Sequence, residues 1–107
     1  MQNRKRVITD LLSEKLIETM AIPSNIRRGQ AIFRRGGVQI IEQTAGKVDA
    51  WAGGLDGPGI EGGSQRRRLQ LYVDDEGKVA WHCEGNPKNH QVFCKHCVAL
   101  ALYLIHS

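Results

Sequence analysis

No uninterrupted apolar run in the chain approaches the ~20 residues a membrane-spanning helix needs. No charged-then-apolar signal segment opens it either. Aromatic residues are scarce, with two each of Trp, Tyr and Phe among 107 residues, so the apolar core must rest on Ile, Leu, Val and Ala and should be thin. Cysteine is limited to three, an odd number that rules out a fully paired disulfide framework within one chain. A reducing, cytoplasmic setting is the expectation, and there thiols serve as metal ligands or buried apolar groups rather than bridges.

What is present begins with charge. The formal net charge of +4 comes from clusters, Arg4-Lys5-Arg6, Arg27-Arg28, Arg34-Arg35 and Arg66-Arg67-Arg68. Such clusters suit phosphate contacts, although a solvated surface reads the same for any single pair. Length points to one domain, small enough that a structural metal would matter to its stability.

Apolar residues Val7, Ile8, Leu11, Leu12, Leu16, Ile17 and Met20 recur at helical spacing and predict one amphipathic helix over residues 1–23. Pro23 ends it. A second short helix is expected from Ser24 to Arg35, closed by Gly36-Gly37. Strands follow at Val38 to Gln43, Lys47 to Ala52, Leu69 to Asp74 and Lys78 to Cys83, paired as two hairpins across Ala45-Gly46 and Asp75-Glu76-Gly77. The glycine-rich stretch from Gly53 to Ser64 disfavours helix and strand alike and reads as a mobile inserted loop. Cys94 to Ile105 predicts an apolar helix, with Ala99 and Ala101 permitting close approach to the sheet. The fold class expected is α+β, a small antiparallel sheet of two hairpins with N-terminal helices and a C-terminal helix, residues 24–107 forming a single globular unit.

All three cysteines and three of the four histidines fall in the stretch from His82 to Cys97. Thiolate sulfur and imidazole nitrogen are donors that Zn²⁺ prefers, and a helix start facing a strand end can present them tetrahedrally. The order Cys83, loop, Cys94-Lys95-His96, apolar helix resembles the second half of a SWIM-type zinc finger, whose pattern is CxC, a variable loop, then CxH leading into a helix. The segment from Arg28 to Val38, followed by hairpins, is also similar to what precedes such fingers, so the resemblance covers roughly residues 24–105. It implies Zn²⁺ on Cys83, Cys94 and His96. Half of the CxC pattern is missing: Trp81 or Gly85 stands where its other cysteine would be, and neither offers a ligand. His82, His90 and Cys97 are the candidates for the fourth donor. His82 or His90 is preferred, His82 on condition that a twist at the strand end redirects it, and Cys97 reads as a buried apolar residue. The alternative is a metal-free finger whose thiols are part of the core.

The resemblance further implies a module that binds DNA or associates with helicase-type DNA-processing proteins. Arg34, Arg35, Arg66, Arg67 and Arg68 would supply sequence-independent phosphate contacts. The C-terminal helix is too apolar to read bases in a groove. The competing expectation is a protein-interaction module. Arginines converging on one face would favour nucleic acid, whereas scattered arginines beside an exposed apolar patch would favour a protein partner. No enzyme is expected, because Cys94 lacks a triad partner or oxyanion-hole motif and Glu84 is the one carboxylate beside the cluster.

Overall fold

A computed structural model describes residues 7–57, 60–64, 66–84 and 92–106. In chain order they form α1 (Ile8–Leu11), α2 (Glu14–Met20), α3 (Pro23–Arg34), β1 (Val38–Gln43), β2 (Lys47–Ala52), β3 (Leu55–Gly57), β4 (Ile60–Ser64), β5 (Arg67–Val73), β6 (Val79–Cys83) and α4 (Lys95–Ile105). The architecture is α+β, as the residue pattern predicts. Among the described residues, no helix is long and apolar enough to cross a membrane.

The two hairpins join through β2 and β5 into one antiparallel sheet of order β1-β2-β5-β6. Its strands alternate in the expected way. Val48, Ala50, Leu69, Leu71 and Cys83 point to the helices and are buried, while Gln39, Lys47 and His82 point away. Asp74 shapes the β5–β6 turn, its Oδ1 accepting from the backbone N–H groups of Glu76 and Lys78 at 2.9 Å, with Gly77 at φ +80°.

The N-terminal helix is in fact two. Leu12 and Ser13 are extended, and the Ser13 hydroxyl accepts from the Leu16 N–H at 3.0 Å, capping α2. A serine side chain that satisfies an orphan N–H favours a helix start over a helix interior, and so the periodic run breaks. The Ile8 N–H donates to the Ala45 carbonyl at 2.7 Å, fastening α1 to the β1–β2 turn. Ile8, Leu12 and Ile17 belong to the same buried cluster as the sheet residues.

Helix α3 begins one residue earlier than predicted, with Pro23 in the first turn, where its missing N–H costs nothing. It ends in a complete Schellman motif: the Gly36 N–H donates to Phe33 O and the Gly37 N–H to Ile32 O, with Gly36 at φ +75°. The glycine-rich stretch departs from expectation, since Leu55–Gly57 and Ile60–Ser64 pair as an antiparallel ribbon separate from the main sheet. Ladder hydrogen bonds come from the backbone and do not need favourable side chains, and β4 approaches α3, so tertiary context overrides composition.

Helix α4 is the centre of the molecule. Residues from His96 to Leu102 are all buried, because one side of the helix meets the sheet and the other meets α3. Ala99 packs against Ile32 of α3, so its small side chain serves the helix–helix contact rather than the approach to the sheet.

Candidate metal centre

Strand β6 lies at the sheet edge and ends at Cys83, whose place opposite Leu69 turns its thiol inward. Helix α4 starts at Cys94, an extended N-cap residue, and its second residue is His96. The strand end and the helix start therefore face each other. His96 Nδ1 lies 4.0 Å from Cys83 Sγ and 3.9 Å from Cys94 Sγ. One donor atom from each of the three residues falls within 4.8 Å of the others, a group that can hold a metal ion. Cys83 and His96 are buried, and Cys94 is half-buried.

A clamp holds the geometry from the side. The Trp81 indole N–H donates to the Val92 carbonyl at 3.1 Å, and its ring meets Phe93 edge to face at a centroid distance of 5.0 Å. This draws the segment leading into Cys94 against β6. At the position where a CxC pattern would put a cysteine, the chain thus has a residue that positions the next one. Two aromatics flanking the loop, Trp81 and Phe93, are the signal in the sequence, and residue-type reasoning about ligands passes over it.

The thiols do not ionise alike. Hydrogen bonds from Cys83, then Cys97, hold Cys94 far below the ordinary thiol range, overcoming burial. Cys83 is pushed up by sharing its proton with Cys94 and by burial, which the nearby Arg67 charge only partly offsets. Cys97 is raised for the same two reasons. Helix N-terminal N–H groups favour the anion at Cys94. Of the three thiols Cys94 is therefore the readiest to give up its proton, with Cys83 and Cys97 as its hydrogen-bond donors. A cation would replace those protons.

The candidates for a fourth donor are placed differently. Cys97 Sγ lies 3.7 Å from Cys94 Sγ, and its side chain is wholly buried. His82 sits opposite Gln70 on the outer face of the sheet, away from the thiols, and lines a shallow depression with Lys47, Gln70, Tyr72 and Val73. The β5–β6 register runs without a bulge, so nothing redirects it. His90 lies outside the described residues.

The arginines do not converge. Arg34 faces a cleft between the helices, with Glu14, Glu18 and Gln30. Arg35 is the C-cap of α3. Arg67 alternates to the same side of β5 as Leu69, towards Cys83, whereas Arg66 and Arg68 lie over the outer face. There the Arg66 guanidinium stacks 4.5 Å above the Trp51 ring and donates to Gln39 Oε1 at 2.8 Å. Arg68 makes a forked pair with Asp49, at 3.1 and 2.7 Å, which lowers the Asp49 carboxyl below its ordinary value. Among the described residues the exposed large apolar side chains are Ile22 before α3, Ile41 in β1, Val92 before α4 and Tyr103 in α4. No family model, curated protein or solved structure matches the chain.

Proposed function

We propose that the protein is a SWIM-like structural zinc module that works in the cytoplasm, in association with DNA or with a helicase-type DNA-processing partner. The observation that carries the metal part is the convergence of Cys83, Cys94 and His96 within 4.8 Å, from two elements whose backbones are independently fixed. Sulfur and imidazole donors at such a point suit Zn²⁺ above the harder divalent ions. When bound, zinc would supply coordination bonds between β6 and α4, with no redox chemistry of its own. Cys83 would hold the strand end, and Cys94 and His96 the helix start. The role is structural, because burial of Cys83 and His96 leaves little access for a substrate.

The five arginines do not share one face, and the DNA part rests on the outer face of the sheet alone, where Lys47, Tyr72 and His82 lie beside Arg66 and Arg68, whose guanidiniums already engage Trp51, Gln39 and Asp49. Such a face offers phosphate contacts and aromatic rings without reading base edges. The test is elemental analysis of protein purified without added metal or chelator, followed by titration with unrelated duplexes. About one zinc per chain is expected. Binding should be similar for all sequences and weaken steeply between about 50 and 200 mM salt. Folded, metal-free protein would overturn the zinc reading and leave a protein-docking domain in its place. Absence of binding at about 50 mM salt would remove DNA as the partner.

A further inference from the structure

A structural zinc site is nearly always four-coordinate, so the group formed by Cys83, Cys94 and His96 is one donor short. We infer that Cys97 is the fourth ligand, making the site Cys₃His. This inference rests on the zinc reading and deepens it.

Two sulfurs on one tetrahedral zinc, each at about 2.3 Å from the ion, lie about 3.8 Å apart. Cys97 Sγ and Cys94 Sγ are 3.7 Å apart before any ion is placed. Their positions explain the match. Cys94 is the N-cap of α4 and Cys97 the third helical residue, the pair whose side chains meet across the first turn in a capping box. Both sulfurs can therefore face one point with the helix backbone unchanged. His96 lies between them in sequence and reaches the same point, with Nδ1 3.9 Å from Cys94 Sγ. A sulfur and a nitrogen on one tetrahedral zinc span about 3.6 Å, so an ion would draw the donors inward by a few tenths of an ångström. Cys97 lies outside the group whose donor atoms are all within 4.8 Å of one another, so its sulfur has to travel about 1 Å or more towards Cys83 or His96 to complete the tetrahedron.

The competing donors are less well placed. His82 is on the outer face of the sheet, separated from the thiols by the strand itself. Glu84 is exposed one residue beyond Cys83, and a carboxylate there would exchange a buried site for one open to water. A metal-free role for Cys97, buried and hydrogen-bonded to Cys94, accounts for the same 3.7 Å separation, so metal loading is what tells the two roles apart.

The test uses the full chain loaded with Co²⁺, whose thiolate charge-transfer absorbance scales with the number of bound sulfurs. Cys97→Ala should lose about one third of that absorbance and bind the metal more weakly, while His90→Ala and Glu84→Gln should leave both unchanged. X-ray absorption at the zinc edge of the wild-type protein gives the same answer without a variant, and three sulfur neighbours and one nitrogen are expected. Wild-type absorbance in Cys97→Ala, or two sulfurs at the zinc edge, would overturn the assignment while leaving the metal site standing. A wild-type chain that takes up neither metal would overturn the site itself.

Discussion

Gly29 lies inside α3 where it meets α4, and replacing it with Ala tests whether that contact sets the position of the turn that carries the candidate metal ligands. A Cβ there would lie 2.5 Å from Val98 Cβ and Cγ1 and 2.8 Å from the Lys95 carbonyl oxygen, against an ordinary contact of at least 3.4 Å. The helices must part by up to about 0.9 Å, the difference between the tightest and the ordinary contact. Alanine would otherwise gain about 1 kcal/mol over glycine in a helix interior. Overpacking a close-packed contact costs about 1–3 kcal/mol, and here two of the obstructing atoms, Val98 Cβ and Lys95 O, cannot rotate away. The clash wins. With those immovable atoms putting the cost in the upper part of that range, about 2–3 kcal/mol, the net loss expected for Gly29→Ala is about 1–2 kcal/mol, a fall in Tm of roughly 5–15 °C for a domain of this size. Circular dichroism melts with and without Zn²⁺ measure it. Adding Val98→Ala should not restore the loss, since Cβ and the carbonyl remain. Because α4 carries Cys94 and His96 while Cys83 sits on the sheet, zinc affinity should fall together with Tm. A Gly29→Ala protein as stable as the wild type would refute the close approach.

Further outcomes follow from single contacts. Ser13→Ala removes the cap on Leu16 and should cost about 1 kcal/mol in a urea titration, whereas an unchanged midpoint would mean that the break between α1 and α2 needs no cap. Asp49 has its folded pKa lowered by Arg68, so its stabilisation is present above the unfolded carboxylate value of about 3.9 and is lost as pH falls through the folded value. Asp49→Asn should therefore lower Tm at pH 7, and the gap to wild type should close towards pH 2; a constant gap would assign the effect to packing. Chelation of the metal should raise hydrogen exchange at the end of β6 and the first turn of α4, with amides of β2 and β5 protected as before. Equal deprotection throughout would mean that the whole core depends on the ion.

Much of the fold is legible because its signals are local. β1 and β2 fall where β-branched residues flank Ala45-Gly46, and α3 is bounded by Pro23 and Gly36-Gly37 in the manner those residues dictate. β5 begins at Arg67, earlier than side-chain preference places it, because Arg67 and Arg68 are paired by Ala52 and Trp51 of a neighbouring strand. That information is not local. The split between α1 and α2 was readable from Ser13 followed by Glu14, a cap and an acidic first turn, but apolar periodicity on both sides concealed it. The ribbon of β3 and β4 was not readable, since glycine composition speaks to propensity and the pairing is decided by position against α3. At the candidate site, Cys83, Cys94 and His96 come together as residue type and order imply. Strand alternation alone puts His82 on the face opposite Cys83, and only an irregularity absent from β6 could have changed that.

The cluster lies where the edge strand of the sheet meets the start of α4. β6 is an edge strand with one neighbour, whereas β2 and β5 are each paired on both sides. In a chain with six aromatic residues, two, Trp81 and Phe93, are spent at this corner. Beyond their contact, the Cys83 thiol meets the His96 ring across β6 and α4 at 4.0 Å, which is weak as a hydrogen bond. Protons alone make a poor fastening there. The donor chemistry, the strand edge and the helix start together favour a cation at this corner.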